Sequence, residues 1–579
     1  MVDTTKKRIR LGDLLVAQQY ISQDQLEQAL AEQKRTGQKL GRQLISLKFV
    51  EENALLTLLS KQLGIPFVEL KHFRFDKGLV QTLPEAAARR YRVMILSEDR
   101  ESILLGMADP TDIFGLDDIQ KLIQKPIRTA VVRESELLDI IDIAYSRADE
   151  IANLAEQLDE ELSEDSVDFN DIATDAADSD APVVKLLQKI FEEALSTKAS
   201  DIHIEPDETV LRIRQRIDGV LVEQVMNEKR IATALVVRLK LLSNLDISEK
   251  RLPQDGRFNL RLGRHNIDVR VSTMPVQFGE SVVMRILDQT EGVRPLSAVG
   301  MPDHYVKRFR SIIHRPYGLV LVTGPTGSGK TTTLYGALSE LNTPEKKIIT
   351  VEDPVEYRLP RISQVQIHQR IGLDFASVLR ATLRQDPDIL LVGEIRDAES
   401  AEIALRAAMT GHMVLSTLHT NDAVTSALRL VDMGVDPFLV AASLKAVVAQ
   451  RLIRRICESC VEDHTLTDEE LQVFRSISRN IHLDKELFKK GAGCPHCFNS
   501  GYRGRVGVFE LLEIDTPMAD ALRDNSVRAF NDAAHAHPGY RPLGASAFEL
   551  AKQGVTTLDE VLRVSAELAD ETLSEIAEE

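Results

Sequence analysis

LVLVTGPTGSGKTTTLYGAL, residues 319–338, sets the fold class before any other segment is read. An apolar, β-branched run from Leu319 to Thr323 enters Gly324, Pro325, Thr326, Gly327, Ser328, Gly329, Lys330, Thr331 and Thr332, and small and apolar helix formers follow. Strand, glycine-rich loop and helix in that order make a phosphate cradle. The glycines turn backbone N–H groups inward, and the helix N-terminus adds a favourable dipole. Lys330 is placed to reach the β- and γ-phosphates of ATP, and the Thr331 hydroxyl to ligate Mg²⁺. A chance glycine-rich turn would lack the strand before it and the helix after it. The pattern from about residue 313 onward predicts an α/β domain with a parallel sheet.

Three further segments carry acids or histidines at predicted strand ends. ILLVGEIRD (389–397) is an apolar strand running into Glu394, a carboxylate suited to hold Mg²⁺-bound water. ITVEDPVE (349–356) supplies Glu352, Asp353 and Glu356, one of which can orient or deprotonate the attacking water. GHMVLSTLHTND (411–422) places His412 and His419 on either side of a strand, with His419 at the carboxyl end, where it can sense the γ-phosphate. Any one of these groups alone would be an ordinary surface or packed residue; their shared position beside the phosphate loop points to nucleotide hydrolysis.

Away from this core, all four cysteines stand in two CxxC pairs, Cys457/Cys460 and Cys494/Cys497. Four thiolates so spaced predict a closed, tetrahedral, structural Zn²⁺ site with no open position for catalysis. The chain has 579 residues, too many for one core, with 43% hydrophobic and 28% charged residues. No window approaches a membrane span, and no apolar core follows the basic residues of the start, so a cytoplasmic protein is expected. The net charge of −18 argues against a nucleic-acid polymer as partner. Much of that charge is local: between Arg147 and Lys185 there are thirteen Asp or Glu and no Lys or Arg, which reads as a solvated linker over 146–180.

The N-terminal module repeats itself. Arg10–Gln33 is echoed by Lys39–Gln62 at an offset of 29 residues, with Leu11/Leu40, Gly12/Gly41, Leu15/Leu44, Leu26/Leu55, Leu30/Leu59 and Gln33/Gln62 coinciding. Each copy reads as a short helix, a turn and a longer amphipathic helix. Packing of a helical hairpin accounts for the leucines; the recurrence of the glycine and the glutamine suggests a ligand as well. Residues 80–145 read as an α/β piece, with strands at SILLGMA and IRTAVV and a helix from Leu116.

Together the phosphate loop, EDPVE, VGEIRD and STLHTND resemble the ATPases of type II secretion and type IV pilus assembly, and SDIHIEP, RIDGVL and RLPQDGR resemble that family's second N-terminal domain. The resemblance implies a RecA-like core at 291–450 preceded by a PAS-like α+β domain at 181–290, whose Arg257, Arg270 and Arg285 reach the nucleotide. It also implies a tetracysteine zinc subdomain at 451–515, typical of the extension and secretion branch, and a helical region at 516–579. It further implies a homohexamer acting on an inner-membrane platform protein and accessory assembly proteins, peripheral to that membrane. The tandem motifs resemble the cyclic di-GMP-binding N-terminal domains of mannose-sensitive haemagglutinin pilus extension ATPases, which implies a regulatory domain at 1–145. There Arg8, Arg10, Gln33 and Asp109 would grip the ligand while the paired leucines seat its bases. An Arg fork fits the guanine O6 and N7 acceptors. The second copy opens instead on Lys39, which has no fork. The family's mid-motif glycine is replaced by Gln19 and Lys48; if the turn is left-handed, each costs on the order of 1 kcal/mol. The expected activity is ATP-driven pilus extension under cyclic di-GMP control; the alternative is a general type II secretion ATPase whose N-terminal domain only docks a membrane partner. A non-hydrolysing docking module fits poorly with Lys330, Glu356 and Glu394 all in place.

Overall fold

The computed structural model describes residues 11–36, 40–47, 49–71, 73–99, 101–123, 125–145, 151, 154–158, 182–290, 292–467, 470 and 488–566. Arg8, Arg10, Lys39, Lys48 and most of the acidic segment lie outside the described residues, as does the side chain of Leu11. The chain forms two compact units, one of residues 1–153 with 458–460 and 493–500, the other of the remainder.

In the first unit the tandem motifs become helices Leu11–Ala17 and Gln23–Thr36, then Leu40–Ser46 and Glu52–Leu63. Their shared core holds Leu15, Leu26, Leu44 and Leu55, one apolar pair from each copy. The recurring glycine has a packing cause. A Cβ on Gly12 would stand 2.7 Å from Leu26 Cδ1, and one on Gly41 would stand 3.1 Å from Leu55 Cδ2. Each short helix therefore closes on the long helix of its own copy through a glycine. Gln19 has φ +62°, so the mid-motif turn is left-handed. Beyond the motifs, strands β1 (Val93–Glu98), β2 (Ile103–Met107) and β3 (Ile127–Val131) form a three-stranded sheet, β1–β2 antiparallel and β2–β3 parallel. Helices Ile113–Ile123 and Glu134–Ala144 flank β3 in sequence. β1 is absent from the sequence reading, because a four-residue apolar run suits a buried helix end as well as a strand.

The second unit opens with helix Pro182–Ser196 and an antiparallel six-stranded sheet. Its strands are β4 (Asp201–Pro206), β5 (Leu211–Ile217), β6 (Val220–Met226), β7 (Gln254–Leu262), β8 (His265–Val276) and β9 (Gly279–Asp288), in the order β6-β5-β4-β9-β8-β7. Helix Ile231–Leu242 packs against β4, β7 and β9. The register sets Arg257, Arg270 and Arg285 side by side across β7, β8 and β9.

The central sheet follows, from β10 (Gly318–Thr323), β11 (Ile348–Glu352), β12 (Ser363–Gln366), β13 (Ile389–Val392), β14 (Met413–Leu418) and β15 (Leu444–Ile456). After the two-stranded β16 (Val461–His464) and β17 (Phe488–Gly491), β18 (Tyr502–Glu513) closes it. The order is β12-β11-β13-β14-β10-β15-β18, parallel except that β18 runs antiparallel to β15. Alternate residues of β10 enter separate cores, Leu319 and Leu321 on one face, Val320 and Val322 on the other. A strand buried on both faces has to be apolar throughout, which is why it reads as a continuous run. Boundaries expected at 450/451 and 515 shift accordingly. β15 and β18 belong to the central sheet, and the cysteine insertion spans only the chain between them. Part of the acidic segment departs from a solvated linker, since 154–158 is helical and Ile151, Ala155 and Leu158 are buried.

Candidate functional site

The phosphate loop emerges from the carboxyl end of β10 and ends in helix Lys330–Leu341. Gly324, Gly327 and Gly329 have φ of 143°, 81° and 89°, a backbone that a side chain would strain. Space matters too: a Cβ on Gly324 would lie 2.3 Å from the carbonyl oxygen of Gln450. Lys330 is buried and its Nζ donates to the carbonyls of Gly324 (2.7 Å) and Pro325 (3.1 Å), so the ammonium sits inside its own loop. Burial pulls its pKa down to about 8, with Glu394 opposing the shift and Arg451 adding to it. The Thr326, Thr331 and Thr332 side chains are exposed at the loop, and Ser328 is buried.

Around the loop the structure brings several of the sequence candidates together. His419 Nε2 lies 3.3 Å from Glu394 Oε2, and Arg396 pairs with the other carboxylate oxygen. Burial and the charge of Lys330 lower the pKa of His419, while Glu394 works against them. The three acids of EDPVE have different surroundings. Glu352 is buried and accepts from Tyr335, Thr350 and Gln364, so its oxygens are committed to holding β11 and the phosphate-loop helix. Glu356 is partly exposed and paired with Arg270. Asp353 is exposed. His412 does not join the site; its Nδ1 contacts the carbonyl of Ala407 at 2.9 Å, at the end of helix Ala398–Met409.

Of the three arginines, only Arg270 engages the central domain among the described residues. Arg257 is held by Asp268 (2.7 Å) and Arg285 by Asp201 (3.0 Å), carboxylates of their own sheet. Three guanidiniums in adjacent registers repel one another, and these acids offset that cost. Sequence reasoning missed Tyr335, Gln364, Gln450 and Arg451. The only available signal was a large aromatic five residues past Lys330, in a helix otherwise built of small and aliphatic residues.

The four cysteines converge. All four are buried, and their sulfurs lie within 4.8 Å of one another. Cys460–Cys497 is 3.8 Å and Cys494–Cys497 3.7 Å, far beyond a disulfide bond. A tetrahedron with Zn–S of about 2.3 Å has edges of about 3.8 Å, so the donor set and its spacing fit Zn²⁺. His496, between the second pair, is not part of the four-sulfur cluster. Its Nε2 contacts the carbonyl of Phe73 at 3.1 Å, and its ring meets Phe75 edge-on.

At the tandem motifs, Leu15, Leu26, Leu44 and Leu55 are committed to the hairpin core, while Leu30 is exposed and Leu40 and Leu59 are half-buried. Gln33 is half-buried and Gln62 exposed. The surface left for a ligand is therefore narrower than the full set of repeated leucines. Asp109 accepts from the backbone N–H of Thr111 at 3.1 Å, closing the ADPTD turn. No described helix is long and apolar enough to cross a membrane.

Residues 176–563 match the family model of the type II/IV secretion system protein, and residues 63–151, just after the tandem motifs, match that of the MshEN domain. The type IV pilus assembly ATPase PilB of Myxococcus xanthus is 42% identical over 564 residues, 96% of this chain and 98% of that protein. The type II secretion system ATPase E of Vibrio cholerae is 40% identical over 506 residues, 85% of this chain and 98% of that one. A solved structure of MshE with cdg is 38% identical over 23% of this chain and 97% of its own, with a TM-score of 0.22. By these matches, which span the phosphate loop, the acidic boxes and the cysteine pairs, the chain belongs to the type II/IV secretion system protein family and is one of its ATPases.

Proposed function

We propose that this ATPase works as a homohexamer that extends a type IV pilus of the mannose-sensitive haemagglutinin kind, and that cyclic di-GMP regulates it. The reading rests on one observation above all: Lys330 inside the phosphate loop, with the Glu394–His419 pair and the Arg270–Glu356 pair beside it. In this scheme Lys330 and the loop N–H groups bind the phosphates, while the Thr331 hydroxyl and the Glu394 carboxylate would hold Mg²⁺, which would supply further charge neutralisation at the phosphates. Glu356 orients the attacking water, and Arg270 neutralises charge on the transferred phosphoryl group. The tetracysteine cluster holds structural Zn²⁺. Hydrolysis moves one lobe of the subunit and, through its neighbour, an inner-membrane platform protein to which the ring is peripherally bound.

Regulation is supported by the tandem motifs and by the MshEN match that follows them. Pilus extension is supported by a pilus assembly relative aligned over 96% of the chain, N-terminal module included. The 40% identity to a type II secretion ATPase favours a second reading, in which the N-terminal module only docks a membrane partner. ATP turnover of the purified chain with and without cyclic di-GMP, together with its mass in solution, separates the two. A response to micromolar ligand, lost in Arg10→Ala by about ten- to a hundredfold in affinity, supports the pilus motor. A flat titration leaves the docking module.

A further inference from the structure

β15 carries two polar side chains under the phosphate loop that no motif reading includes. Ala449 pairs with Thr323 in the parallel β10–β15 ladder, so Gln450 and Arg451 come level with the loop itself. Both are almost fully buried, at 2% and 3% exposure. Gln450 Oε1 accepts from Thr333 Oγ1 at 2.7 Å, and Thr333 lies one turn into the helix that Lys330 begins. The side-chain nitrogen of Gln450 would stand 2.8 Å from a Cβ on Gly329, so the loop rests directly on this amide. From the next residue, the Arg451 guanidinium donates to Asn421 Oδ1, two positions after His419. The same guanidinium would lie 3.2 Å from a Cβ on Gly324. A parallel tie runs from Ser426 Oγ to Thr323 Oγ1 at 3.2 Å, joining the helix after the histidine box to the strand before the loop. Burying an amide and a guanidinium here is costly unless each is held, and where buried polar groups are held they fix one geometry.

We propose that Gln450 and Arg451 are positioning residues for ATP hydrolysis, locking the phosphate loop and the His419–Asn421 segment into one unit that answers the γ-phosphate together. The inference rests on reading Lys330 as the phosphate-binding lysine. Gln450 sets the pitch of the helix N-terminus through Thr333, and Arg451 sets the segment bearing His419 through Asn421. Neither side chain meets a reacting atom. Loss of either leaves the loop amides and Lys330 to bind nucleotide, but lets His419 and Glu394 drift from the geometry the chemistry needs, and small displacements of this kind are expensive in rate.

The test uses the full chain, with steady-state ATP hydrolysis, MgADP titration and melting measured on the same preparations. Gln450→Leu and Thr333→Val should each lower kcat by about tenfold, the scale of one buried hydrogen bond, with KM and the MgADP Kd within about twofold. Thr333→Ser keeps the hydroxyl and should restore most of kcat. The double variant Thr333→Val/Gln450→Leu should be no slower than either single one, because both remove the same bond. Arg451→Gln should also act on kcat, and Arg451→Lys should recover part of it. If Thr333→Val and Gln450→Leu keep wild-type kcat, or if their losses multiply, the inference is overturned. If Gln450→Leu melts too low to assay, the Thr333→Val and Thr333→Ser pair still decides it. Lys330→Ala separates the two levels: wild-type turnover there removes the site reading itself, whereas an inactive Lys330→Ala beside fully active Gln450 and Arg451 variants removes only this inference.

Discussion

Arg270 grips Glu356 through two hydrogen bonds, Nη1 to Oε1 at 3.2 Å and Nη2 to Oε2 at 2.5 Å. One residue comes from the antiparallel sheet, the other from the loop after β11. The arginine that would neutralise phosphoryl charge and the acid that would orient water thus neutralise each other in this arrangement, and the pair has to part before either can act. Any gain Arg270 makes at the phosphate is the difference between two ion pairs. A lysine cannot reproduce its bidentate grip.

Arg270→Ala should therefore lower ATP turnover by roughly a hundredfold or more while leaving ADP affinity within a few fold, since charge stabilisation of this kind acts in the transition state. Arg270→Lys should recover little. Glu356→Gln should bind ATP and hydrolyse it slowly. Single-turnover hydrolysis beside nucleotide titration checks all three; wild-type rates in Arg270→Ala would remove the arginine from the mechanism.

The buried Lys330 gives nucleotide binding a pH dependence with a defined sign. Its pKa in the folded chain is about 8, against an ordinary 10.5. Phosphate oxygens favour the charged ammonium, so binding should take up a proton once the pH passes about 8, and affinity should fall by up to about tenfold per unit above that point. Below pH 7 it should be flat. Without nucleotide, the unfolded chain holds this proton more tightly than the folded one, so the group's contribution to stability improves as pH rises from about 8 toward 10.5. Calorimetry at pH 7, 8 and 9 in two buffers of different ionisation enthalpy measures the proton uptake directly.

Gln19 occupies a left-handed turn at φ +62°. Gln19→Gly should stabilise the N-terminal module by about 0.5–1 kcal/mol by relieving that conformation. Gly12→Val should do the reverse by about 1–3 kcal/mol, because its Cβ would meet Leu26 Cδ1 at 2.7 Å. Urea melts monitored within residues 1–145 give both signs; a stabilised Gly12→Val would contradict the packing account of the repeat.

Purified protein should contain one Zn²⁺ per chain. Cys457→Ser or prolonged chelation should lower the melting temperature, because a structural metal contributes its binding energy to the fold. Elemental analysis and melting with and without chelator are the measurements, and full stability in metal-free protein would end the zinc assignment.

Much of this was legible because the relevant signals are local. The phosphate loop, the acids of EDPVE and VGEIRD, and the paired cysteines each declare themselves within about ten residues, and the parallel sheet follows from apolar strands alternating with helices. What the sequence could not disclose was partnership across strands. Arg257, Arg270 and Arg285 read alike, yet only Arg270 faces a carboxylate of the central domain. Glu352 and Glu356 lie four residues apart and read alike too, but Tyr335 and Gln364 claim the first. Gln450 sits in a strand that no motif marks, and its value depends on the β10–β15 register. The repeated glycine also has a packing partner that the sequence did not disclose, in the methyls of Leu26 and Leu55.

The cysteine insertion has a use in protein engineering. Its 33 residues between Cys460 and Cys494 are pinned near both ends, by the thiolate cluster and by the β16–β17 ladder that pairs Val461 with Gly491 and His464 with Phe488. Once the ends of a loop are fixed by other means, lengthening it is entropically cheap, roughly 0.6 kcal/mol for each doubling. A fluorescent reporter or an affinity tag inserted between Thr467 and Phe488 is accordingly expected to leave ATP turnover unchanged, since the described ends of the insertion are held independently of what lies between them.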